Sequence, residues 1–203
     1  MAVTRERTPA WEGGFLDRIQ HLAAEANPAF AAGSIVVPLA VLAASVALGH
    51  TVLLFYTHVV AGAVWFGFAL VFPAVVGPAL GALDEEHAVA VTTRLTPKLV
   101  FFIFGFSLTT VLSGTALLTT DLGLAYGFSG PWPTASLALG WGLFVFGLVV
   151  PNRIHLRAYY EGRSENPDSD RLAAIEKQNA LVGVVEAVAM LGIIVLMTGL
   201  RLG

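Results

Sequence analysis

The sequence predicts an all-α integral membrane helical bundle: a four-helix core, one additional N-terminal transmembrane helix and a surface amphipathic helix. Three observations carry that expectation. Of 203 residues, 56% are hydrophobic and only 12% are charged, about half of the roughly 25% charged residues found in soluble domains. A chain so poor in charge cannot cover a water-facing surface. Its apolar residues are also gathered into runs able to cross a hydrocarbon layer of ~30 Å at ~1.5 Å per helical residue. Finally, five spans would place all 11 Lys and Arg except Arg201 on one side, as the positive-inside rule requires. With four spans, Arg5, Arg7 and Arg18 would change sides.

The expected spans are 34–49, 52–80, 97–120, 134–152 and 178–200. The first is short, and only Gly49-His50-Thr51 separates it from the second. A single helix over 34–80 would be ~70 Å long, more than twice the hydrocarbon thickness, so the chain is expected to turn at or just after Gly49. Residues 1–33 then form a cytoplasmic N-terminal segment and 34–203 the bundle, with the C-terminus outside the plasma membrane. The polar start lacks the apolar run of a signal peptide. Over 9–26, Trp11, Phe15, Ile19 and Leu22 form a stripe suited to a helix lying on the membrane surface.

Local signals set further boundaries. Asp84 is expected to cap a short helix through Thr93, and Thr96-Pro97 to begin the next span as cap and first-turn proline. The polar stretch 153–177 should extend its flanking helices around a turn at 165–168. Trp132 and Trp141 are expected near the outer end of their span, as interfacial aromatics.

Composition excludes several functions. The chain has no cysteine, which removes disulfides, thiolate metal sites, thiol catalysis and palmitoylation. A net charge of −3 provides no basic face for nucleic acid.

The unusual residue is His58, within the apolar run FYTHVVAGAVWFGFALVFP. On a helix, Ala61, Gly62, Trp65, Ala69 and Phe72 share its face. Small neighbours and a tryptophan below would suit a flat aromatic ligand bound through the imidazole. Close helix packing with a hydrogen-bonded ring is the alternative, but an ionisable group inside a membrane is a functional hypothesis by default. Glu186, about eight residues into the last span, shares a face with Asn179 and Gly183. Its carboxyl should point into the bundle, as a proton relay, as an anchor for a polar ligand edge, or as one interhelical hydrogen bond that sets register. Lys98, Arg94, Asn152, Arg153 and His155 fall near the cytoplasmic ends of spans. Lys98 either snorkels to lipid headgroups or reaches toward Glu186 or a ligand carboxylate. His21 and His87 are expected to be solvated. Ser107, Thr110, Ser113 and Gly114 give the third span a small, weakly polar face suited to helix packing.

Metal chemistry can be narrowed. Copper transport favours methionine and cysteine clusters, whereas this chain has three methionines and no cysteine. Zinc needs three or four converging ligands. Haem iron needs one or two axial ligands, which matches a lone imidazole. His50 lies eight residues from His58 and cannot share a haem with it on one continuous helix. The second axial ligand stays open.

His58, Trp65, Gly67, Phe72-Pro73 and Pro78 together resemble the first core helix of a superfamily of small four-helix membrane proteins. That group includes the J-type protoporphyrinogen oxidases and the CopD-type copper-resistance proteins. RLTPKLVFFIFGFSLTTVLSGTALL is similar to its second helix, and Arg171, Asn179 and the run into IIVLM to its last. The similarity covers roughly 52–200 and leaves the N-terminal span outside. It implies a four-helix core binding haem b, with His58 as axial ligand and Lys98 matching a lysine important for activity in the J-type enzymes. Asn179 is followed by alanine where that family has glutamate, and the proline after it is missing, so the resemblance points to a relative of unassigned function.

The expectation that follows is a haem-b membrane protein with a redox role, an oxidoreductase that transfers electrons to a quinone or oxidises a porphyrin-like substrate. His58 would bind the metal. Gly62, Trp65, Arg94 and Asn179 would line the cofactor, with Arg94 and Lys98 meeting propionates or carboxylates, and Lys98 and Glu186 would serve the chemistry. The lipid bilayer is the surrounding partner. A redox partner protein or a second copy of the chain would be compatible with this. The competing expectations are a CopD-type metal-handling protein and a non-catalytic subunit of a membrane complex.

Overall fold

The computed structural model describes residues 13–121, 131–164 and 166–202. Trp11, Arg5 and Arg7 lie outside that range. Helix α1 spans Phe15–Ala26, and Asp17 Oδ2 accepts from the Gly14 N–H at its start (2.8 Å). Leu22 and Ala26 are buried, and with Ile19 and Ala23 they pack on Phe101 and Tyr159. The stripe expected to lie on the membrane is therefore divided. Its C-terminal half docks on the protein, while Phe15 (77%) and the adjacent Leu16 (70%) stay exposed.

Helix α2 spans Pro28–Ala47, starting before the expected 34, so residues 28–33 belong to the first span. Asn27, at φ 76°, accepts from the N–H groups of Ala29 (2.9 Å) and Phe30 (3.3 Å), and Pro28 fills the first turn. The turn after α2 is where the sequence placed it. Gly49 adopts φ 63°, and the His50 N–H donates to the Ser45 carbonyl (3.0 Å). His50 then caps α3, its Nδ1 accepting from the Leu53 N–H (3.1 Å). That cap is exposed.

Helix α3 (Thr51–Val71) continues through a π segment, Phe72–Val76, into the short α4 (Gly77–Gly81). Pro73 offers no N–H to the carbonyl four residues back. The ladder slips to i→i+5, as in the bond from the Gly77 N–H to the Phe72 carbonyl.

Helix α5 (Glu85–Thr119) corrects one expectation: it runs unbroken through Pro97. Asp84 alone supplies the cap, accepting from the His87 N–H (3.1 Å). Thr96 is not a cap; its hydroxyl donates to the Thr92 carbonyl of the preceding turn (2.9 Å). Pro97 is fully buried, and packing on both flanks holds the helix across the one missing bond. The hydrogen bond from the His87 ring holds the Asp84 carboxyl below its usual pKa.

Helices α6 (Trp132–Val149) and α7 (Pro151–Gly162) follow almost collinearly, and α8 (Ser169–Leu202) returns after the polar turn. Trp132 opens α6 as expected, but Trp141 lies mid-helix and donates to Thr115 Oγ1 (3.0 Å) on α5.

Helix α5 is the hub: α1, α2, α3, α6 and α7 all pack on it, while α8 closes against α3, α6 and α7. The α2–α5 crossing is close enough that a Cβ on Gly105 would run into the Ser34 backbone carbonyl. Five helices are long and apolar enough to cross a membrane: Pro28–Ala47, Thr51–Gly81, Glu86–Thr119, Trp132–Gly162 and Ser169–Leu200. Large apolar side chains such as Val60, Leu181, Val188 and Val195 face outward, the pattern that a hydrocarbon solvent stabilises and water does not.

Candidate functional site

α3 runs from the far end of the bundle toward its basic end, and α5 runs back. His58 sits two turns into α3 and points its ring at α5. Its Nδ1 lies 3.0 Å from the Thr110 carbonyl and 3.2 Å from Ser113 Oγ. A carbonyl can only accept, so Nδ1 carries the proton. The Ser113 hydroxyl already donates to the Thr109 carbonyl (2.6 Å), which leaves its oxygen to accept from Nδ1 as well. The neutral tautomer so fixed leaves Nε2 with a free lone pair, the arrangement of a metal-ligating histidine whose other nitrogen is anchored.

Gly114 makes this geometry possible. A Cβ there would lie 2.9 Å from His58 Cε1 and 3.3 Å from Nδ1. The small face of α5 read as helix packing is thus the seat of the imidazole. The signal was Ser113-Gly114 one turn below Thr110, a carbonyl and a notch on one face.

Gly62 does not open into a free slot; a Cβ there would meet the Thr110 methyl at 3.5 Å. Trp65 is buried (6%) among Val111, Leu143, Phe144 and Met190. Its indole lies toward the Glu186 carboxyl, whose Oε1 lies 3.9 Å from where a Gly147 Cβ would be. Glu186 therefore points into the bundle, between α3, α6 and α8.

Asn179 meets the His155 imidazole on α7. His155 shares a face with buried Pro151, Ile154 and Tyr159, a stripe that marks it as facing inward despite its polar neighbours.

Arg94 and Lys98 are exposed on α5. They lie sixteen and twelve residues before Thr110, or ~24 and ~18 Å along the helix. They do not join His58, so any carboxylate they meet lies at the basic end.

His21 corrects another expectation. It is half-buried and its Nε2 lies 3.1 Å from the buried Tyr159 hydroxyl. That hydroxyl accepts from Arg163 Nη1 (3.1 Å) and can donate to His21. Arg163 also binds Glu25 Oε2 (2.8 Å) and lies over the Tyr159 ring, 5.5 Å from its centroid. This network pins α1 to α7. The Arg163 hydrogen bond holds the Glu25 carboxyl below its usual pKa, and Glu25 in turn raises that of Arg163.

Among the described residues no group of three or more His, Asp or Glu converges as a metal cage. A group that needs a single imidazole is the one the donor set fits: Nδ1 is anchored to the Thr110 carbonyl, Nε2 is the acceptor nitrogen, and His58 as a whole is half-buried. An apolar groove of about 510 Å³ lies elsewhere, lined by Leu39, Leu42, Ala43 and Val46 of α2 and Leu112 and Ala116 of α5. No family model, curated protein or solved structure matches this chain.

Proposed function

We propose that the chain is a haem-b-binding membrane protein with a redox role, in which His58 is an axial ligand. The observation carrying this reading is the Nδ1–H bond to the Thr110 carbonyl, which presents Nε2 as a neutral donor from a fixed ring. Haem, when bound, would supply one-electron chemistry, used to pass electrons to a quinone or to oxidise a porphyrin-like substrate. The chain's own residues hold the ring in one tautomer through Thr110 and Ser113, and seat it on Gly114. Trp65 and Glu186 lie one face-repeat away on the same side of α3, where the carboxyl can accept or release a proton.

Arg94 and Lys98, both exposed, serve the basic end of the bundle, as contacts for lipid phosphate, a partner protein or a substrate carboxylate. The location proposed is the plasma membrane, with the N-terminus cytoplasmic and the C-terminus outside, supported by the one-sided placement of Lys and Arg.

A second reading has its own observation. The contact of the imidazole edge with Gly114 is also what a purely structural histidine would make in a non-catalytic subunit. Metal analysis with a haemochrome assay on the purified protein separates the readings. Iron as haem, about one per chain and lost in His58→Ala, supports the first. Stoichiometric copper without iron would point instead to CopD-type metal handling. Neither metal, with His58→Ala and Glu186→Gln losing only stability, would support the structural role.

A further inference from the structure

The groove of about 510 Å³ between α2 and α5 lies apart from the His58 seam, toward the end of the bundle where α2 turns into α3. The two helices cross closely at Ser34 and Gly105, and helices in contact at one point diverge away from it. Ala116, on the α5 side of the groove, lies ~16 Å from Gly105 along that helix. Alanines at Ala43, Ala47 and Ala116 leave the space that larger side chains would fill.

Both walls belong to helices long and apolar enough to cross a membrane. No lining residue has a polar side chain, so nothing there holds water, and a hydrocarbon chain fits by dispersion contact. From Leu39 to Ala47 the α2 wall rises ~12 Å. That is most of the ~15 Å that one leaflet contributes to the hydrocarbon core.

The groove ends at a polar turn, Leu48-Gly49-His50-Thr51. His50 is exposed there, and its Nδ1 accepts from the Leu53 N–H (3.1 Å). A backbone N–H can only donate, so Nδ1 is bare and Nε2 carries the proton. The cap of α3 thus fixes an N–H donor three residues beyond Ala47. Neither the lining nor this turn contains Lys, Arg, Asp or Glu. A net-anionic headgroup finds its cations at the opposite, basic end, whereas a headgroup carrying its own cation needs only a donor for its phosphate.

We propose that the α2–α5 groove binds one zwitterionic phospholipid of the leaflet at the Gly49 end. One acyl chain lies along Leu39, Ala43 and Ala47 and against Ala116, and a phosphate oxygen accepts from His50 Nε2–H. The chain completes the half of the α2–α5 interface that the Gly105 crossing leaves open. The site does not depend on haem at His58.

Native mass spectrometry of the full-length protein in detergent tests this, with dioleoyl phosphatidylethanolamine, dioleoyl phosphatidylglycerol and ubiquinone added in equal amounts. The wild type should retain phosphatidylethanolamine in preference to both others. Ala43→Phe and Ala47→Phe fill the groove from exposed positions and should each lower that retention about ten-fold, through lost chain packing. His50→Asp keeps a capping oxygen but has no N–H, and should lower it several-fold. Val188→Phe, outward-facing on α8, should leave it unchanged, which separates the groove from the general lipid annulus. Loss in either folded phenylalanine variant supports the site, so misfolding of one does not remove the test. A wild type that retains no lipid, or retains phosphatidylglycerol or ubiquinone instead, overturns the proposal. So does wild-type retention in both phenylalanine variants or in His50→Asp.

Discussion

His58 and Glu186 occupy two unlike regions of one bundle. The seam that holds His58 is built on α5, much of whose apolar length is buried in the bundle, whereas almost none of that of α8, which carries Glu186, is. At His58, a backbone carbonyl, a hydroxyl and a glycine notch fix the ring in place. At Glu186, the carboxyl has an indole and a glycine beside it, and the polar residues of α8 are separated by small ones. The first region suits a ligand that must be held still. The second suits a group that changes its protonation state. Buried polar groups alone do not define a site; how tightly each is seated separates the two.

Substitutions that fill space should expose the difference, strongly in the α5 seam and weakly at α8. Gly105→Ala is the largest expected effect, because its Cβ meets the Ser34 backbone and neither helix can yield locally. A loss of about 3 kcal/mol or more should appear as failure to recover folded protein or a collapse of the thermal midpoint. Gly114→Ala comes next. Its Cβ would press on His58 Cε1 at 2.9 Å, at a cost of about 1–3 kcal/mol, and the displaced ring should change any haem spectrum.

Gly147→Ala, on α6 facing Glu186 of α8, is the matched control. Its Cβ would meet Glu186 Oε1 at an ordinary 3.9 Å, so stability should stay within about 1 kcal/mol of wild type, with the helix propensity of alanine acting in its favour. Equal losses for Gly114→Ala and Gly147→Ala would erase the contrast between the regions.

The smallest effect belongs to the aqueous clamp. The Arg163–Glu25 pair is part-exposed, with side chains 39% and 36% accessible, so Arg163→Ala should cost about 0.2–1 kcal/mol. The Glu25 carboxyl is held below its ordinary 4.5. Its contribution is therefore present above that pH and fades as pH falls through the depressed folded value. Thermal midpoints should fall faster below pH 4.5 in the wild type than in Arg163→Ala.

Hydropathy was enough to read the five long apolar helices, and Gly49 was enough to read the first turn. The start of α2 was legible in principle, since Asn27-Pro28 is a cap followed by a first-turn proline. The apolar count hid it, because Ala29, Ala31 and Ala32 weigh little. Thr96-Pro97 misled for the opposite reason. A local start signal was overridden by packing, since a proline removes one hydrogen bond while α5 is gripped by several other helices. His58 and Glu186 were visible because ionisable groups stand out in an apolar run. Their partners were not. The Thr110 carbonyl is a backbone group, and Gly114, Gly147 and His155 acquire meaning only through which helices become neighbours. His21 looked solvated because its buried partner, Tyr159, lies 138 positions away.

The central claim is that the lone pair on His58 Nε2 is presented to a haem iron. The direct measurement is the absorption spectrum of detergent-purified protein from haem-sufficient cells, oxidised and then reduced, beside His58→Ala. The account predicts a Soret band that sharpens on reduction in the wild type and is lost or displaced in the variant. A wild type without that band, or a variant with the same spectrum, would contradict it.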